Sequence, residues 1–347
     1  MTDRRLLRAL RLAMLAAMSA PVLVACGGQV DPVDNDGGSG DASHPPLDSG
    51  SPCRTSGLPD GSAPSCGWKV DFVGSTAACG FPSDGGQIST QLCTKLCGPS
   101  SGGQPTTYCY WDAVSDPTHL GCGGPCVGRL PEGLRPRSVV HMSAVADFFA
   151  RTAHLEAASI DAFYILRDEL AAHGAPESLR RAALRAAEDE VRHARMTAAL
   201  ARRFGGAVDA AVVVRGPVRS LYAIALENAL EGCVRETWGA LLAAWQADHA
   251  DSPAVRAAMR TIAIDEARHA LLGWKIASWA DGKLSAGERR RIHAARARAI
   301  DALILDLAVT PDESLVREAG LPRAAEAVAL AGSLFGQLTG GLASRAA

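Results

Sequence analysis

Asp189-Glu190-Val191-Arg192-His193-Ala194 and Asp265-Glu266-Ala267-Arg268-His269-Ala270 carry one pattern, D-E-x-R-H-A, repeated 76 residues apart. Around both copies Ala, Leu, Arg and Glu dominate, and apolar residues recur at three and four, the period of an α-helix. On a helix, residues three apart point the same way, so Glu190 converges with His193 and Glu266 with His269. Upstream of each pair stands a lone glutamate on an apolar face, Glu156 in Leu155-Glu156-Ala157 and Glu231 in Leu230-Glu231-Gly232. They precede their E-x-x-H pairs by 34 and 35 residues. The helical half therefore reads as two copies of a helix hairpin, each supplying one glutamate and one E-x-x-H.

Four long helices follow from this. The first is expected over 138–173, ending at Gly174. The second has Pro176 in its first turn and ends near Gly205. The third spans about 218–249. The fourth opens at Ser252-Pro253, a cap with proline at the first helical position, and ends near Asp281. The link from about Gly206 to Pro217 is long enough, at roughly 40 Å when extended, to run back along the bundle. Ser285-x-x-Glu288 is a capping box that opens a fifth helix, and Thr310-Pro311-x-Glu313 opens a further short one. The Gly- and Ala-rich tail, 336–347, is expected to fray.

The expected helix faces place Glu156, Glu190, Glu231 and Glu266 among apolar neighbours such as Phe149, Ile160, Phe163, Ile224, Val234, Trp238, Met259, Ile262 and Ile276. Buried unpaired carboxylates are costly and are driven to take up protons. Two divalent cations cancel four of them. Oxygen-rich ligation with one imidazole per ion suits iron or manganese, and no thiolate-rich zinc set is present there. The candidate ligands are Glu156, Glu190, His193, Glu231, Glu266 and His269. Glu227 lies one turn before Glu231 on the same face and is a supporting residue or an alternative ligand. Asp161 and Glu236 occupy equivalent positions in the repeat and are expected to hydrogen-bond rather than ligate. His154 reads as a surface histidine, Cys233 as a small buried residue, and the tryptophans at 238, 245, 274 and 279 as core.

These motifs resemble the ferritin-like diiron carboxylate proteins: ferritins, rubrerythrins, ribonucleotide reductase small subunits and bacterial multicomponent monooxygenases. The resemblance covers about residues 140–280, and its D-E-x-R-H form is closest to the oxygen-activating branch. It implies an all-α, ferritin-like four-helix bundle with extra C-terminal helices. It also implies two iron ions, or manganese in their place, bridged by Glu190 and Glu266. Asp189 would orient His269 and Asp265 would orient His193, each fixing a ring tautomer.

The rest of the chain reads differently. Arg4, Arg5, Arg8 and Arg11 precede an apolar run from Leu12 to Ala25 that is too short to span a bilayer, the pattern of an export signal. Leu23-Val24-Ala25-Cys26 resembles the lipobox of bacterial lipoproteins. That implies cleavage before Cys26, lipidation of Cys26 and anchoring to the cell envelope, with Gly27 favouring the outer membrane. The Arg4-Arg5-Leu6-Leu7 start also has a faint twin-arginine likeness. Residues 26–52 are Gly, Asp, Ser and Pro, a flexible tether.

Residues 53–135 hold eight of the ten cysteines: Cys53, Cys66, Cys79, Cys93, Cys97, Cys109, Cys122 and Cys126. This predicts a small loop-rich module with four disulfides; the C-x₃-C pairs and a single His119 fit zinc poorly. The bundle would occupy 136–282 and the C-terminal helices and tail 283–347. With 35 basic against 37 acidic residues, no nucleic-acid footprint shows.

In function, the pattern points to an envelope-anchored oxidoreductase reacting with O₂ or peroxide, drawing on an electron donor that the sequence does not identify. The alternatives are a non-catalytic iron or manganese lipoprotein for buffering or sensing, and a structural envelope lipoprotein. No catalytic residue beyond the metal ligands is indicated.

Overall fold

The computed structural model describes residues 53–56, 68–74, 79, 81, 86–87, 96–97, 108–112, 116–123, 131, 134, 143–308 and 310–343. The export signal, Cys26 and the tether lie outside them, as do Cys66, Cys93 and Cys126.

Serine and glycine set the helix ends. Ser143 caps α1 (Ala144–Ala172) by accepting from the Ala146 N–H, so the helix begins later than residue 138. Gly174, at φ 68°, turns the chain into α2 (Glu177–Arg203), with Pro176 at the cap position rather than inside the first turn. Ser220 caps the third rod. This rod has three parts: α3 (Leu221–Leu230), a π-helical turn π1 (Glu231–Arg235) and α4 (Glu236–His249). Pro253 opens α5 (Pro253–Asp281). The capping box closes in both directions between Ser285 and Glu288 at the start of α6 (Ala286–Leu307). A second π turn, π2 (Leu315–Ala319), stands where the short helix was expected. The final helix α7 (Ala324–Ala343) continues through most of the stretch expected to fray.

The described residues from 143 to 343 form no strand and pack as a helical bundle. α1 packs along α2, and α4 along α5; α2 also meets α5. The link after α2 climbs α1 step by step. A Cβ at Gly206 would press on the Ala146 carbonyl. His154 contacts the Asp209 carbonyl at 3.3 Å, Arg215 pairs with Asp161 at 2.7 Å, and Arg219 reaches Glu169 at 2.7 Å. The link thus returns from the start of α1 to its end, so the third rod runs parallel to α2 and α5 parallel to α1. His154, expected at the surface, is buried beneath this link, and Asp161 serves it as an ion-pair partner.

α6 and α7 close over the third rod, where Trp238 and Leu241 pack with Ile300, Leu330, Leu334 and Phe335. Trp238 and Trp274 are buried, whereas Trp245 and Trp279 are half-exposed. Cys233 is buried, and the Asn228 side-chain amide donates to its sulfur at 3.9 Å.

The cysteine-rich segment, expected to be loop-rich, contains a five-stranded antiparallel sheet: β1 (Cys53–Ser56), β2 (Trp68–Gly74), β3 (Gly86–Gln87), β4 (Tyr108–Asp112) and β5 (Asp116–Gly123). Its order is β1-β2-β5-β4-β3, with a bulge at Trp111/Asp112. Runs such as Trp68-Lys69-Val70-Asp71-Phe72-Val73 alternate in the strand period, a signal that the density of Gly and Cys obscures. Cys109 and Cys122 are register partners on neighbouring strands, and Cys79 and Cys97 each take part in a disulfide. Among the described residues no helix is long and apolar enough to cross a membrane.

Candidate metal centre

Each of the four rods sends acids or imidazoles to one point in the core. α1 supplies Glu156, α2 supplies Glu190 and His193, α5 supplies Glu266 and His269, and the third rod supplies Glu236 at the end of its π turn. All six are at most 2% exposed. Glu156, Glu190, His193 and Glu266 form one group whose ligand atoms lie within 4.8 Å of one another; Glu236, Glu266 and His269 form a second. Glu266 belongs to both. Glu190 reaches both imidazoles, with one oxygen 3.1 Å from His269 Nδ1 and the other 3.6 Å from His193 Nδ1.

The spacing suits ions between the donors better than direct contact. His193 Nδ1 stands 3.5 Å from Glu156 and 3.4 Å from Glu266, and His269 Nδ1 stands 3.4 Å from Glu266 and 3.8 Å from Glu236. Most of these separations are too long for good hydrogen bonds. Two donors bound at about 2.1 Å to one ion would sit roughly 3–3.5 Å apart. Glu156 Oε2, Glu190 Oε2, Glu266 Oε2, both oxygens of Glu236 and both imidazole Nδ1 atoms are buried without a hydrogen-bond partner. Native interiors rarely leave such groups orphaned, and here they converge. These residues fit a pair of metal ions.

The outward side of each imidazole meets the opposite motif. Asp265 Oδ2 lies 3.1 Å from His193 Nε2, and Asp189 Oδ2 lies 3.4 Å from His269 Nε2. Arg192 bridges Asp189 and Asp265 at 2.5 and 2.8 Å, and Arg268 bridges the same pair at 3.0 and 2.5 Å. This crossed lattice locks α2 to α5 and holds both rings with Nδ1 facing inward.

Burial opposes the Asp189 charge, yet hydrogen bonds from His269, Arg192 and Arg268 hold this carboxyl far below its ordinary range. Asp265 is likewise held low, against its burial, by His193 and Arg192. At the centre, burial and then the neighbouring Glu190 push Glu156 well up, and burial and then Glu266 push Glu236 well up. Glu190 and Glu266 are held low against burial by the histidines. Both histidines rise despite burial, His193 through Asp265, Glu156 and Glu190, and His269 first through the charge of Glu266. Without an ion, these directions favour protons on Glu156, Glu236 and both rings, and charge on Glu190 and Glu266. Two divalent ions give the same neutrality with four carboxylates and two neutral rings. Loading should therefore expel up to about four protons, so affinity falls as pH falls. Calorimetry in buffers of different ionisation enthalpy counts them; a count near zero would contradict this exchange.

Glu231 is not in either group. It lies beside Arg235, 3.4 Å from its Nε. Glu156 is 34 residues before Glu190, but 34 residues before Glu266 is Gly232. The extra residue sits in π1, where the Glu236 N–H donates to the Glu231 carbonyl five residues back. A π turn holds one residue more than an α turn. That bond sets Glu231 and Glu236 one turn apart on the third rod, and the Glu231 carboxylate turns to Arg235 rather than to the centre. Glu236, one turn beyond Gly232 on the same face, takes its place. Glu227 is also away from the centre, in an ion pair with Arg219.

Gly232 has a role of its own. A Cβ on Gly273 would fall 2.5 Å from the Gly232 backbone, so α5 and π1 touch main chain to main chain. Gly273→Ala should cost about 1–3 kcal/mol by overpacking and displace Glu236. Thermal unfolding checks the first effect and metal affinity the second.

Beside Glu156 and Glu266 opens a cavity of about 20 Å³, lined also by Phe148, Thr152, Gly239, Ala243, Gln246, Met259 and Ile262. It has room for about one water-sized molecule. Comparison with protein-family models, with curated proteins and with solved structures finds no match for this chain.

Proposed function

We propose that the bundle is a ferritin-like, carboxylate-bridged centre for two iron ions, with manganese as the alternative, and that it reduces dioxygen or peroxide. The observation that carries this reading is the convergence of orphaned carboxylate and imidazole donors from four rods on one buried point. The connectivity agrees with it: two antiparallel pairs joined by a link that runs the length of α1.

Ferrous ions held there would supply the two electrons that, with two protons, convert peroxide to two waters. The chain's own residues do the rest. Glu190 and Glu266 would hold ions at both positions. Asp189 and Asp265 hold the rings for Nδ1 ligation. The cavity beside Glu156 and Glu266, lined also by Phe148 and Met259, offers a small oxidant a place next to the centre. Repeated turnover needs an external electron donor. The Leu23-Val24-Ala25-Cys26 motif supports placement of the protein on the bacterial cell envelope through lipid on Cys26.

The test is to load the purified protein with Fe²⁺ anaerobically and mix it with peroxide or O₂ in a stopped-flow spectrometer. Oxidation should be much faster than for free Fe²⁺. Two bound ions that oxidise no faster than free iron would leave a buffering or sensing protein instead of an oxidoreductase.

A further inference from the structure

The first half of α6 is strongly cationic. Residues 283–298 carry six lysines and arginines against one acid, Glu288, which leaves 29 basic against 36 acidic residues in the rest of the chain. Ile292, Ala295 and Ile300 bury the inner side of this helix. Arg290 and His293 are exposed on its outer side, with the exposed Lys283 just before it. At about 100° per residue, Arg289 and Arg296 fall on one flank of that outer side, and Arg291 and Arg298 on the other. The nearby carboxylates are already engaged. Glu288 accepts from Ser285 in the capping box, and Asp281 lies 3.2 Å from His293 Nε2; the next acid along the helix, Asp301, stands past the cationic stretch. Three of the cations rest on rings instead: Lys283 is 5.6 Å from the Trp279 ring centre, Arg291 5.4 Å from that of Tyr222 and Arg296 5.1 Å from that of Trp274. A guanidinium lying on a ring keeps its N–H groups for a ligand.

We propose that this end of α6, with Trp279 at its edge, docks the bundle on an anionic lipid surface. Charge selects the partner: a chain with more acids than bases gathers its cations on one short helical face, where lipid phosphates can meet several at once. The half-exposed Trp279 beside them suits the boundary between headgroups and acyl chains. The apolar side of α6 is already used inside the bundle, so the contact is ionic and reversible rather than an insertion. The cysteine-rich segment also approaches α6 through β3, so the N-terminal part of the chain meets the bundle on this side. Docking does not involve the metal centre.

The test is co-sedimentation with vesicles, using the full chain with Cys26→Ser so that no acyl chain contributes. It should bind vesicles of phosphatidylglycerol mixed with phosphatidylcholine, leave pure phosphatidylcholine unbound, and dissociate as salt is raised. Each cation at the surface should be worth about fivefold in partition. Arg290→Gln, at an exposed position that spares the fold, should therefore weaken binding about fivefold, and Arg290→Gln, Arg296→Gln, Arg298→Gln together by about tenfold or more. Arg181→Gln, Arg185→Gln, Arg195→Gln removes the same charge from exposed positions of α2, which packs on α1 and α5, and should leave binding unchanged. No vesicle binding, equal binding to neutral and anionic vesicles, or equal losses in the two triple variants overturns the proposal. Binding to dextran sulfate without binding to vesicles also overturns it, and marks the face as a site for an acidic macromolecule.

Discussion

A chain carrying both Glu190→Gln and Glu266→Gln should fold and bind no metal ion at the bundle centre. Glutamine keeps the size of each side chain and removes its charge. Glu266 belongs to both donor groups, and Glu190 touches both imidazoles, so the pair serves both positions at once. Loss of a residue that merely supports a ligand costs 10–100-fold in affinity, and loss of two shared ligands should exceed the upper end of that range. Without metal, His193 and His269 lose their anionic partners, so stability should fall unless both rings give up their protons. The separation is measurable. In wild type, ions at about 100 times their dissociation constant should add roughly 2.7 kcal/mol of stability, whereas the double variant should melt at one temperature with or without metal.

Arg219→Ala should be the most damaging single change away from the centre, at about 3–5 kcal/mol, the cost of breaking a buried pair from one side. Arg219 sits where the link meets the third rod. Its guanidinium spans both oxygens of Glu169 at 2.7 Å and also pairs with Glu227, while its carbonyl lies 2.8 Å from His173 Nε2. Glu169 is 2% exposed and would keep an uncompensated charge. The same contact anchors the link to the end of α1, so its loss also frees the crossover. Denaturant unfolding measures the cost. Arg219→Ala together with Glu169→Gln should recover much of it, since no buried carboxylate is then stranded; equal losses in the single and double variants would contradict the ion-pair account.

How much of this was legible in the sequence depends on which residues repeat. The duplicated D-E-x-R-H-A placed Glu190, His193, Glu266 and His269 because three-residue spacing on a helix fixes their direction whatever the surroundings. Glu156 followed from the same face, and the length of the link pointed to a return along the bundle. Glu236 was read as a hydrogen-bonding residue because the repeat pairs it with Asp161, which serves the link through Arg215, and π1 makes the two copies unlike at this point. The single trace was the difference between 34 and 35 residues, which a loop could equally have absorbed. His154 and Glu169 were misjudged or overlooked for another reason. Their burial is created by the link lying over α1, a tertiary event without a local signature. The final helix hid in a stretch whose glycines argue against helix on propensity alone, yet Leu334 and Phe335 are buried against the third rod. In the cysteine-rich segment, the short strands were masked by the turn residues around them.

The most direct test of the central claim is the number of ions bound by the purified full-length protein. It is titrated anaerobically with Fe²⁺ or Co²⁺, beside its Glu190→Gln, Glu266→Gln double variant. The account predicts two ions per chain in the wild type and none in the variant. A wild type that binds no ion, or a variant that binds as many ions as the wild type, would contradict it.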